Sequence, residues 1–180
     1  MLFVFITSTS QFVAANELDL RISDDSIHGN YAVTNEKTVF GLGYFYKNDD
    51  SSINIINTDL HAKGQTAIGN LPMTVGIGFQ GNFFKEDDFK GSTVGVGGTV
   101  RINIPEALGL SIESSLHYAP EVLSFGDANE FRRFRLQANY HIIENADISF
   151  GYHYLNVGIE NVNMNHTFES GAFLGMKLKF

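Results

Sequence analysis

The sequence predicts an all-β fold, an up-and-down antiparallel barrel that crosses a membrane, and three observations predict it. Long stretches alternate apolar and polar residues with period two, the mark of strands whose successive side chains point to opposite sides of the pleat. The last stretch, residues 168–180, carries Ala172, Leu174, Met176, Leu178 and Phe180 on one face and Gly171, Phe173, Gly175, Lys177 and Lys179 on the other. It stops on an aromatic, as the closing strand of an outer-membrane barrel does, so Phe180, Leu178 and Met176 are the expected assembly signal. The polar faces also mix glycine with arginine, glutamate and histidine. That mixture suits a narrow lumen, whereas on a solvated exterior the glycines would only weaken the strands.

Composition narrows the alternatives. The 180 residues suit one domain, and the net charge of −8 argues against nucleic acid, whose phosphates need a basic face. Cysteine is absent, so disulfide and thiol chemistry are excluded. Eighteen glycines, sixteen phenylalanines and seven tyrosines point to many strands joined by tight turns. Residues 1–15 read as a signal peptide, an apolar run followed by Val13, Ala14 and Ala15 at a cleavage site, although no basic residue precedes the run. Residues 16–180 form the expected barrel. No other segment approaches the roughly 20 apolar residues of a spanning helix, so a membrane crossing must use a closed barrel.

The elements follow in order. Leu18, Leu20 and Ile22 alternate with Asp19, Arg21 and Ser23; after Asp24-Asp25-Ser26 the phase changes, and Ile27, Gly29, Tyr31 and Val33 form a new face. Residues 38–47 place Phe40, Leu42, Tyr44 and Tyr46 together, and 52–62 are weaker, with Ile53 and Ile55 set against Ile56 and Leu60. The alternation then becomes clean. Met73, Val75, Ile77, Phe79 and Phe83 oppose Thr74, Gly76, Gly78, Gln80 and Asn82. Val94, Val96, Val100 and Ile102 oppose Gly95, Gly97, Thr99 and Arg101; Leu110, Ile112, Leu116 and Tyr118 oppose Ser111, Glu113, Ser115 and His117. Phe134, Leu136, Ala138 and Tyr140 oppose Arg133, Arg135, Gln137 and Asn139, and Ile148, Phe150, Tyr152 and Tyr154 oppose Asp147, Ser149, Gly151 and His153.

Turns at 35–36, 105–108 and 144–145 are short, whereas 85–91, 119–130 and 158–167 read as longer polar loops, the asymmetry of an outer-membrane barrel. Ten strands result if Asp24-Asp25 is a hairpin turn; fusing the first two stretches gives nine, and eight remain if one weak N-terminal stretch lies outside the barrel.

Two stretches carry more than pattern: Leu-Asp-Leu-Arg-Ile-Ser-Asp-Asp-Ser at 18–26 and Tyr-Ala-Pro-Glu-Val-Leu-Ser-Phe-Gly-Asp at 118–127. The sequence resembles the YfaZ family of bacterial outer-membrane proteins in these segments and, over the mature chain, in length, strand order and terminal Phe180. The resemblance implies a Gram-negative outer membrane and a small barrel, and it implies no activity.

Chemistry would have to reside on the inward face. Arg101, Glu113, His117, Arg133, Arg135, His141 and His153 form the expected lumen charge network, together with Asp147, Glu169, Lys177 and Lys179. In a barrel of about eight strands, side chains fill the interior and buried charges must pair. The leading reading is therefore a structural or surface role, or a narrow passive channel. The alternative is a lipid-active hydrolase or acyltransferase at the extracellular rim, because Glu113, Ser115 and His117 supply the parts of a catalytic triad. Same-face neighbours on one strand lie about 6–7 Å apart, too far for direct bonding without favourable rotamers. The six histidines show no compact ligand spacing, so neither metal nor cofactor is read. Expected partners are outer-membrane lipid, lipopolysaccharide and the barrel-insertion machinery, with the protein a monomer.

Overall fold

The computed structural model describes residues 15–48, 52–86, 89–159 and 164–180. The expected signal peptide falls outside these residues except for Ala15. Ten strands make the barrel wall: β1 (Ala15–Ile22), β2 (Ser26–Thr34), β3 (Thr38–Asn48), β4 (Ser52–Ile68), β5 (Leu71–Glu86), β6 (Phe89–Asn103), β7 (Leu110–Ala119), β9 (Ala128–Ile143), β10 (Ala146–Ile159) and β11 (Met164–Lys179). A three-residue strand, β8 (Ser124–Gly126), pairs with the start of β6 on the edge that β7 occupies further along, and so continues the wall where β7 has ended.

Each wall strand pairs antiparallel with its sequence neighbour, and β1 pairs with β11 to close the ring. Leu18 sits opposite Leu178 and Ile22 opposite Leu174, while Asn16 and Phe180 exchange backbone hydrogen bonds of 2.8 and 2.9 Å. Pairing the first strand with the last along Glu17–Ile22 and Leu174–Lys179 closes the sheet into a ring, the form in which strands can cross lipid. The phase change after Ile22 is a hairpin: Ser23 N–H donates to Ser26 O at 2.9 Å, so the first two stretches count separately and the total is ten.

The period-two pattern resolves into outside and inside. Ile77 and Leu174 are each 67% exposed on the outer wall, in company with Leu42, Leu60, Phe79, Leu116 and Phe150. The alternate positions are buried in the lumen, among them Asp19, Arg21, Gln80, Glu113, Gln137, Asn139 and Asp147. An apolar exterior around a polar interior reverses a water-soluble protein and matches a barrel standing in lipid.

Towards the end away from the termini the pattern inverts. Lys85, Lys90 and Arg132 stand on the outer side, and Phe45, Ile53, Ile55, Phe84, Phe131, Leu155, Val157 and Phe168 pack inside as one apolar cluster. The polar stretches expected as loops at 85–91 and 158–167 are therefore largely strand. β5 and β6 are separated by residues 87–88 alone, and β10 and β11 by 160–163. Lys85 and Lys90 belong to the outer face of a wall that has left the lipid, where water surrounds the barrel and the ordinary inside-out preference returns. Among the described residues, 119–130 keeps the character of a connection, with a short 3₁₀ turn (Glu121–Leu123) and β8.

Glycines allow close backbone approach at one place in particular. A Cβ added to Gly78 would lie 1.9 Å from Leu60 O, and one on Gly97 would lie 2.0 Å from Leu116 O. Neither neighbour is a movable side chain, so Gly78→Ala is expected to destabilise the barrel by about 1–3 kcal/mol through overpacking. Denaturant unfolding followed by circular dichroism measures this, with Gly64→Ala, where a Cβ meets open space, as the neutral comparison.

Candidate functional site

The candidate site is the lumen itself. Below the apolar cluster lies a cavity of about 330 Å³, lined by side chains from all parts of the wall, including Asp19, Arg21, Asp59, His61, Glu113, His117, Arg133, Arg135 and Lys177. Phe45 and Leu155 form part of both the cavity and the cluster, so the cluster is its ceiling. The cavity runs towards the end that carries the termini, where Glu17, Thr34, Lys63 and Thr74 line it.

The ceiling is built mainly from rings. Phe84 stacks nearly parallel with Phe131 (centroids 6.5 Å, interplanar angle 7°) and with Phe89 (5.5 Å, 12°). Phe168 meets Phe84 edge-on at 5.9 Å and Phe89 at 6.1 Å. Strand register explains the convergence: Phe45 opposes Ile55, Ile55 opposes Phe84, and Phe131 opposes Val157, so inward positions of neighbouring strands meet at one level.

The charged groups pair in three layers. At the terminal end, Asp147 is 1% exposed and accepts hydrogen bonds from Lys179 Nζ at 2.7 Å, His141 Nδ1 at 2.7 Å and Arg101 Nη2 at 3.4 Å. In the middle, Glu113 accepts from Arg135 Nη2 at 2.8 Å and from Lys177 Nζ at 3.3 Å. Arg21 Nε donates to Asp19 Oδ1 at 3.1 Å. Nearer the ceiling, Glu169 lies 2.9 Å from His153 Nε2 and 3.7 Å from Lys47 Nζ. Arg133 directs its guanidinium over the Phe131 ring, 5.7 Å from the centroid.

The residues singled out in the sequence thus take separate places. Arg135 joins Glu113, whereas Arg101, although opposite Glu113 in register, bonds to Asp147. His141 and His153 belong to different layers. Ser115, His117 and Glu113 all point inward but do not form a relay: His117 Nε2 meets His61 Nε2 at 2.7 Å, and Glu113 is taken up by Arg135 and Lys177. They stand beneath the aromatic ceiling, not at the rim. Met176 and Phe180 are exposed on the outer wall, and the Phe180 ring lies 6.4 Å from that of Tyr31.

The pairings and the ceiling escape sequence reading. Lys177 lies 64 positions from Glu113, and His61 lies 56 positions from His117, so only the strand register brings them together. The apolar ceiling left a trace in the sequence, the consecutive Ile55-Ile56 and Phe83-Phe84, which break strict alternation because both faces there are apolar.

A closed antiparallel barrel with an apolar outer wall and a charged lumen defines an integral outer-membrane β-barrel protein. The pattern of the family described as YfaZ precursor matches residues 3–180, and the chain belongs to that family. Among curated proteins no match is found. Solved structures with similar barrels include Neisserial surface protein A, at 13% identity with 93% of this chain and 94% of that one covered and a TM-score of 0.39. The outer membrane protease OmpT from Escherichia coli gives 10% identity, 94% of each chain and a TM-score of 0.48. The NanC porin gives 10% identity, 93% of this chain, 100% of that one and a TM-score of 0.46.

Proposed function

We propose that this protein is a sealed outer-membrane barrel with a structural or surface role, whose lumen is a vestibule open only towards the periplasm. The observation that carries this reading is the aromatic ceiling, which closes the lumen at the end away from the termini with tightly packed rings. The end that carries both termini is read as the periplasmic one, so the ceiling stands on the external side, and lipid and lipopolysaccharide surround the wall. The paired charges below support the same reading, since Glu113 holds Arg135 and Lys177, and Asp147 holds Lys179 and Arg101, within the lumen. A narrow passive channel would require the ceiling to open.

The purified barrel is therefore expected to give no steady single-channel conductance in planar bilayers. Replacing Phe84 and Phe131 together by serine should introduce conductance steps, because both rings stack at the centre of the ceiling. Large, steady conductance in the unmutated protein would overturn the sealed reading and establish the channel.

A further inference from the structure

We propose that His61, His117 and Asp59 form a binding site for a divalent transition-metal ion inside the barrel. One inward-facing donor from each of these residues lies within 4.8 Å of the other two. The two imidazoles point nitrogen to nitrogen, with Nε2 atoms 2.7 Å apart. Two ring nitrogens so placed must share a single proton, since each lone pair otherwise faces the other.

The wall is built to make them meet. His61 on β4 opposes Gly78 on β5, Gly78 opposes Gly97 on β6, and Gly97 opposes His117 on β7. The row therefore reads histidine, glycine, glycine, histidine across four strands. The two glycines leave a bare floor over which the imidazoles reach one another, and His117 Cδ2 occupies the space where a Cβ on Gly97 would stand, 2.7 Å away. His117 is 2% exposed, and its Nδ1 has no hydrogen-bond partner among the described residues. A buried ring without a second anchor is free to turn by the small amount that metal binding requires.

The third donor is already oriented. Asp59 accepts a hydrogen bond from Gln80 Nε2 at 2.6 Å and from Asn57 Nδ2 at 3.0 Å, the kind of outer support that ligating carboxylates receive. Two imidazoles and one carboxylate suit zinc and its neighbours in the first transition row, and leave a fourth position for water. Tetrahedral bonding at about 2.0–2.1 Å would hold the two nitrogens roughly 3.3 Å apart, so the rings must separate by about half an ångström. The cavity that reaches the terminal end includes all three residues and provides the ion's path. Arg133, opposite His117 in register, and Arg135 oppose a dication electrostatically, so the carboxylate of Asp59 is the ligand that offsets their charge.

The test uses the whole barrel in detergent, stripped of metal with a chelator and titrated with zinc against a chromogenic competitor. One equivalent of zinc per barrel is expected, with affinity falling at least 100-fold in His61→Gln and in His117→Gln and about 10-fold or more in Asp59→Asn. His141→Gln, in a different layer, should bind as the unmutated protein does. Cobalt substituted into the unmutated barrel provides a readout independent of the variants' folding: intense visible bands of a four-coordinate ion are expected. Absence of zinc binding, undiminished binding in the histidine variants, or only the pale spectrum of hexa-aqua cobalt would each overturn the proposal.

Discussion

Replacing Glu113 with alanine is expected to lower the barrel's unfolding free energy by about 3–5 kcal/mol, the range seen when one partner of a buried ion pair is removed. Glu113 is 8% exposed and holds two cations, Arg135 at 2.8 Å and Lys177 at 3.3 Å. Alanine would leave both charges in the lumen without their carboxylate, beside Arg21, whose nearest carboxylate is already Asp19. Denaturant unfolding in detergent, followed by circular dichroism because the chain has no tryptophan, measures the loss. Glu130→Ala supplies the scale: its partner Arg132 has a side chain 54% exposed, and such exposed pairs contribute about 0–1 kcal/mol. Were Glu113→Ala to cost no more than Glu130→Ala, cavity water would be solvating Arg135 and Lys177 and the two pairs would not behave as buried ones.

What the sequence made legible follows from which physical signals are local. Alternation at 73–83 and 172–180 identifies outward and inward positions one strand at a time, and lipid on one side with polar groups on the other makes the contrast sharp. Closure and strand number are nearly as readable, because Ser23–Asp25 must either turn or bulge and only a turn gives the even count in which the last strand meets the first antiparallel. The ceiling is harder to see. Phe84, Phe131 and Phe168 occupy lumen-facing positions, yet periodicity counted with a single rule expects polar residues there. The rule changes where the wall leaves the lipid, so Lys85 and Lys90 looked like a loop although they pair across two strands. The lumen's pairings are the least legible, since a contact such as His61 with His117 depends on the cumulative register of four strands. β4 and β7 each offer one inward histidine, and nothing in either strand's own sequence says which level of the barrel it occupies.

The second large effect is expected on the outer wall, where Ile77→Arg should destabilise the barrel by about 2–4 kcal/mol, the cost of a cationic side chain near the bilayer midplane. Depth follows from strand geometry. Ile77 lies six positions beyond Leu71, the first residue of β5. At about 3.3 Å per residue and a tilt of about 40°, that places it roughly 15 Å along the barrel axis, near the middle of a lipid band about 25 Å tall. Its cross-strand neighbours are Ala62 and Gly98, so no carboxylate lies directly beside it to accept the charge. The matching exchange outside the lipid, Val122→Arg in the 3₁₀ turn, where the side chain is 80% exposed, should change stability by about 0.5 kcal/mol or less. Both are measured by denaturant unfolding from lipid vesicles. Spin labels add a test of orientation: one at Ile77 should be relaxed by membrane-soluble oxygen, and one at Gln80, which is 4% exposed in the lumen, should not. Equal costs for the two arginine substitutions, together with a water-accessible label at Ile77, would place that face in solvent and turn the wall inside out.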